Sequence, residues 1–75
     1  MKTLYNIKWT NRLSGESGFV KRVLLKKGYF ENTYDQPKAK NFDSKELAEE
    51  QIKLIKNLPN ENKDNVFEVI EVEWH

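Results

Sequence analysis

Between Asp43 and Pro59 the chain carries its clearest periodic signal, and that signal dictates what the rest must supply. Leu47, Ala48, Ile52, Leu54, Ile55 and Leu58 recur at three- and four-residue spacings, which places them on one broad face of a helix and leaves Lys45, Glu49, Glu50, Lys53 and Lys56 largely to solvent. Asp43 is positioned to cap this helix, with Glu46 reaching back toward it, while Asn57 and Pro59 mark its end. One amphipathic helix must bury its apolar face against another layer. The flanking segments indicate that the layer is a sheet.

Over residues 4–10, Tyr5, Ile7 and Trp9 alternate with Asn6, Lys8 and Thr10, the period-two pattern of a half-buried strand. Residues 11–18 hold two Gly, two Ser and one Asn and read as a turn-rich connection. Residues 19–28 admit two readings. Phe19, Val20, Val23 and Leu24 also satisfy a helical repeat, and a helix there would give a β-α-α-β protein. The aromatic and β-branched content favours a strand, with Tyr29–Tyr34 returning as a short antiparallel partner. Pro37 then restricts Gln36 and marks a turn. Ala39 and Phe42 are spaced to meet across one short helical turn, with Phe42 plugging the core beneath the main helix. After a polar loop over 60–65, Val66–Trp74 is rich in β-branched and aromatic residues. The apolar residues on both faces around Phe67–Ile70 predict an interior strand.

The expected fold is one α+β domain over residues 1–75, a small two-layer structure of order β-β-β-α-β. A single helix packs across an antiparallel or mixed sheet, with Ile7 and Trp9 beneath it. At 75 residues there is material for one core and no more. With no cysteine, stability must come from packing, and a reducing compartment fits. The segment Met-Lys-Thr-Leu-Tyr-Asn-Ile-Lys-Trp lacks an apolar h-region, and no apolar run is long enough to span a bilayer, so a cytoplasmic protein without membrane association is expected.

Chemistry finds little support in the residue pattern. His75 is the single histidine and has no cysteine to help it hold a metal. The acid pairs Glu49-Glu50 and Glu71/Glu73 fall on a solvated helix face and the polar side of a strand. Gly15-Glu16-Ser17-Gly18 lacks a phosphate-loop Lys-Ser/Thr pair and reads as a turn, and Ser14 and Ser17 have no local base. We therefore expect no enzyme activity, no cofactor and no metal.

Charge is distributed unevenly. Residues 1–29 carry seven Lys/Arg and one acid, whereas residues 30–75 carry six Lys and eleven acids. Lys8, Arg12, Lys21, Arg22, Lys26 and Lys27, with Tyr29 to stack on a base, are candidate nucleic-acid contacts. On a strand, however, Lys21 and Arg22 point in opposite directions, and the acids require any such surface to be segregated from the helix and last strand. The competing expectation is a small binding or regulatory protein with a protein partner. It would act through an open backbone edge of strand one or the short third strand, or through Glu46, Glu49, Glu50 and Trp74. Dimerisation by continuation of the sheet is also open.

Gly18-Phe19-Val20-Lys21, Gly28-Tyr29-Phe30, Ala39-Lys40-Asn41-Phe42 and Ser44-Lys45-Glu46-Leu47-Ala48-Glu49 together resemble small proteins encoded by phages and prophages of low-GC Gram-positive bacteria. The resemblance covers residues 18–58. It implies a β-rich front followed by a helix and a strand, and an accessory or host-interaction role, and it brings no functional residues with it.

Overall fold

The computed structural model describes residues 2–59, 61 and 63–74, without the side chains of Lys2 and Trp74. Four strands, β1 (Lys2–Asn11), β2 (Ser17–Leu24), β3 (Tyr29–Thr33) and β4 (Asn65–Trp74), and one helix, α1 (Lys45–Lys56), form the α+β fold expected from the sequence. All three strand pairings are antiparallel, in the order β3-β2-β1-β4. Residues 19–24 are strand, which settles the choice left open by their double periodicity.

Alternation along β1 separates two faces. Tyr5, Ile7 and Trp9 point toward α1, and Ile7, Trp9, Val20, Phe42, Ala48, Ile55 and Leu58 form the buried cluster. The helix starts one residue later than expected: Ser44, not Asp43, is the cap, and its Oγ accepts a 3.2 Å hydrogen bond from the Leu47 N–H. The apolar face of α1 is also wider than the surface available to it. Ala48 and Ile55 are fully covered, whereas Leu47 and Leu54 remain about half exposed, at 48% and 47%.

The sheet is strongly curled. A register shift between Val20 and Arg22 inserts Lys21 as an extra residue in β2, and such bulges raise local twist. As a result Phe30 on one edge strand and Phe67 on the other meet above the core, their ring centroids 5.6 Å apart and nearly perpendicular. The bulge also accounts for Lys21 and Arg22 being consecutive yet both exposed.

Where β2 bends away from β1, the segment 39–42 fills the gap. Tyr5 and Phe42 exchange backbone hydrogen bonds of 3.0 and 2.8 Å, and the Lys40 N–H reaches the Val20 carbonyl at 3.0 Å. Phe42 is buried as anticipated, but its backbone is extended against β1 instead of closing a helical turn with Ala39. The same segment covers Asn6 on the opposite face. Asn6 Nδ2 donates to Lys40 O and Asn41 Oδ1, both at 2.8 Å, and the residue is 1% exposed.

Two topological expectations are corrected. β4 is an edge strand, not an interior one, and β1 lies inside the sheet between β2 and β4, so strand one offers no open edge. Phe67 and Val69 are packed against the core beneath α1, while Ile70 and Val72 are half-buried on the other face. Apolar residues on both sides therefore describe an edge strand here as well as they would a central one.

Candidate functional site

Backbone hydrogen bonding fixes which groups of β4 are free. Because Tyr5 directs its N–H and C=O to Phe42, and the Asn11 N–H donates to the Glu16 carbonyl, the backbone N–H and C=O groups of the odd-numbered residues of β1 face away from β4. Its even-numbered residues face β4, in register with Val72, Ile70, Glu68 and Val66. Successive residues alternate sides, so Phe67, Val69, Glu71 and Glu73 turn their N–H and C=O groups outward. Among the described residues no backbone hydrogen bond reaches those groups. A ten-residue strand thus presents an open ladder along one side of the molecule, the arrangement to which an extended chain adds as a further strand.

The open ladder borders a groove. Between α1 and β4 lies a depression of about 500 Å³ with Ile52, Phe67 and Val69 as its apolar floor and Lys45, Lys53 and Lys56 along the helix side, interrupted by Glu49. These helix residues follow one another at four- and three-residue intervals, so they form a stripe parallel to the strand. A second depression continues past Lys56 and Phe67 to Lys63 and Arg12. Arg12 is tied to Asp64 at 3.5 Å. Lys45, Lys53 and Lys56 have no ion-pair partner among the described residues. Unpaired backbone, an apolar floor and a basic rim are the features that bind an extended segment carrying both apolar and acidic side chains on one face.

The seven residues considered for nucleic-acid contact do not converge. Arg12 stands beside the start of β2, and Lys26 and Lys27 lie in the turn beyond its end, so the length of β2, roughly 23 Å at 3.3 Å per residue, separates them. Lys8 is half-buried and paired in register with Glu68. Arg22 donates a hydrogen bond to Glu31 across the β2–β3 pair. That bond holds the Glu31 carboxyl below its ordinary range, further helped by the positive charges of Arg22, Lys21 and Lys27. Lys21 sits at the bulge, and Tyr29 opens β3 and is exposed.

The acidic candidates are divided as well. Glu49 faces the β4 groove, Glu50 lies on the other flank of α1 beside Leu47 and Leu54, and Glu46 is in the first turn. The Trp74 side chain and His75 lie outside the described residues. The basic stripe on α1 and the outward residues of β4 were not singled out in the sequence, because their pairing into one groove depends on β4 being an edge.

Next to the Phe30–Phe67 contact, Trp9, Phe30 and Tyr34 line a third opening, of about 340 Å³. Trp9 and Tyr34 meet edge to face at 6.1 Å, and the Tyr34 hydroxyl donates to Glu16 Oε2 at 3.2 Å. Most amides there hold the surrounding loops. Asn11 Nδ2 donates to Asn65 Oδ1, Asn11 Oδ1 accepts from the Leu13 and Ser14 N–H groups, and Asn65 Nδ2 donates to Glu61 Oε1. Among the described residues no group of His, Cys, Asp or Glu is placed to hold a metal ion, and no helix is long and apolar enough to cross a membrane.

No family model, curated protein or solved structure matches this chain.

Proposed function

We propose that this is a small non-catalytic binding protein that acts by taking an extended segment of a protein partner onto the outer edge of β4. The supporting observation is the outward-facing ladder at Phe67, Val69, Glu71 and Glu73 beside the groove lined by Ile52, Lys53 and Lys56. Main-chain hydrogen bonds supply affinity in this mode, and alternate side chains supply selectivity. Side chains of the added strand that point toward α1 meet an apolar floor and three lysines, which selects apolar and acidic residues. Such a role agrees with the accessory or host-interaction function implied by the resemblance to small phage and prophage proteins.

The reading is tested by titrating the ¹⁵N-labelled protein with a soluble peptide that carries Val and Glu in turn at every second position with Thr between them (the Val/Glu peptide), so that both kinds of side chain fall on one face, and, in parallel, with the same peptide carrying Lys in place of Glu (the Val/Lys peptide). Strand addition is expected to shift the amides of Phe67, Val69 and Glu71, together with those of α1 around Ile52 and Lys53, for the acidic peptide alone. Equal shifts with both peptides, or shifts confined to the Lys26-Lys27 turn, would contradict the reading.

A further inference from the structure

We propose that the segment fitting the β4 edge is β4 of a second copy of this chain, so that two molecules join their sheets into one of eight strands. This rests on the strand-addition reading and names the occupant. The first ground is composition. β4 combines apolar and acidic residues, Val66-Phe67-Glu68-Val69-Ile70-Glu71-Val72-Glu73, and those on its α1 side, Phe67, Val69, Glu71 and Glu73, are of the two kinds that the groove beside it selects. The second is charge. Glu71 and Glu73 point to the α1 side of the sheet and, like Lys53 and Lys56, have no ion-pair partner among the described residues.

Symmetry then limits the register. An antiparallel pair made by a two-fold axis is isologous, each strand meeting the same surface of the other. Because each strand directs only its odd-numbered residues outward, odd must pair with odd across the axis. Of the axis positions that keep most of β4 paired, one at Glu68 sets Glu68 against its own copy, and one at Glu71 does the same for Glu71. Like charges directly opposite one another are destabilising. Axes at Val69 or at Ile70 avoid every acid-acid pair. In both of these registers Glu71 of one copy stands opposite Phe67 or Val69 of the other, beside the lysines lining that groove. The surviving registers therefore bring together the acids and bases left unpaired in the single chain.

The experiment is sedimentation equilibrium over a wide concentration series, on the unaltered chain and on three variants. The unaltered protein is expected to approach twice its 8.9 kDa mass as concentration rises. Glu71→Lys should weaken association about ten-fold or more, because it sets a lysine into a basic groove. Adding Lys53→Glu and Lys56→Glu to it should restore association. Glu71→Pro deletes an outward N–H while leaving the β1 ladder intact, a change that edge strands accommodate. It should give a monomer with unchanged far-UV circular dichroism. A chain that stays monomeric at every concentration overturns the dimer. If that monomer still binds the Val/Glu peptide, strand addition stands without self-pairing; if it binds neither peptide, both readings fall. Association that Glu71→Lys and Glu71→Pro leave unchanged in folded protein also overturns the proposal, by placing the interface elsewhere.

Discussion

Replacing Asn6 with alanine removes the one buried polar side chain among the described residues and isolates the role of the 39–42 segment. Asn6 Nδ2 supplies two hydrogen bonds of 2.8 Å, to Lys40 O and to Asn41 Oδ1. The donor assignment follows from chemistry, since the Lys40 carbonyl can only accept. Each such bond contributes about 1 kcal/mol net, and the acceptors belong to the exposed residues Lys40 and Asn41, where water can take the place of a lost donor. The expected loss is therefore about 1–3 kcal/mol. A domain of this size has a total stability of about 4–11 kcal/mol, so the variant should melt roughly 5–25 °C lower. Asn41→Ala keeps the Lys40 bond and should lose only about 1 kcal/mol. Urea unfolding followed by tryptophan fluorescence and circular dichroism measures both. An Asn6→Ala protein within about 0.5 kcal/mol of the parent, the ordinary range of a neutral surface change, would refute the claim that this amide anchors the segment.

Other expectations concern packing, charge and site separation. A Cβ at Gly18 would sit 3.0 Å from Thr33 O and from Trp9 Cζ2 and Nε1, so Gly18→Ala should cost about 1–3 kcal/mol in chemical unfolding, as overpacking does. Ile55→Ala, in the buried cluster, should cost about 2–5 kcal/mol; Leu54→Ala, at a half-exposed position, should cost clearly less, and equal losses would contradict the packing described. The Glu31 carboxyl is held low by its hydrogen bond from Arg22, so its contribution to stability is present above its unfolded-state pKa and is lost as pH falls through the lower folded value. Glu31→Gln should remove that contribution at neutral pH and flatten the acidic part of the stability–pH curve, so that variant and parent converge at low pH. Reversing Lys26 and Lys27 to Glu, at the turn beyond β2, should leave binding of the Val/Glu peptide intact when measured by calorimetry.

Much of the architecture was legible because period-two and period-3.6 patterns are local. The alternation around Ile7 and Trp9 located β1, and the repeat from Leu47 to Leu58 located α1. Strand order was not legible in the same way. Phe67 and Val69 are apolar because they pack under α1, while Ile70 and Val72 are apolar on a face that is only partly covered. A strand buried on both sides carries the same residues, so the pattern could not separate edge from interior. Asn6 was hidden for a related reason. It occupies the polar phase of β1, and only the return of Lys40 and Asn41 from 34 and 35 residues away buries it. The basic stripe of α1 had been assigned to solvent, which is correct for each side chain taken alone; what escapes the helix pattern is that the stripe runs beside an unpaired strand.

Amide hydrogen exchange along β4, measured residue by residue in dilute and concentrated samples, tests the open edge and its occupant together. In dilute solution Val66, Glu68, Ile70 and Val72 should exchange slowly, because β1 accepts from their N–H groups, and Phe67, Val69, Glu71 and Glu73 should exchange fast. In the concentrated sample Val69 and Glu71 should become protected. Uniform protection along β4 in dilute solution at concentrations where the protein sediments as a monomer, or outward amides that stay fast where it sediments as a dimer, would contradict the account.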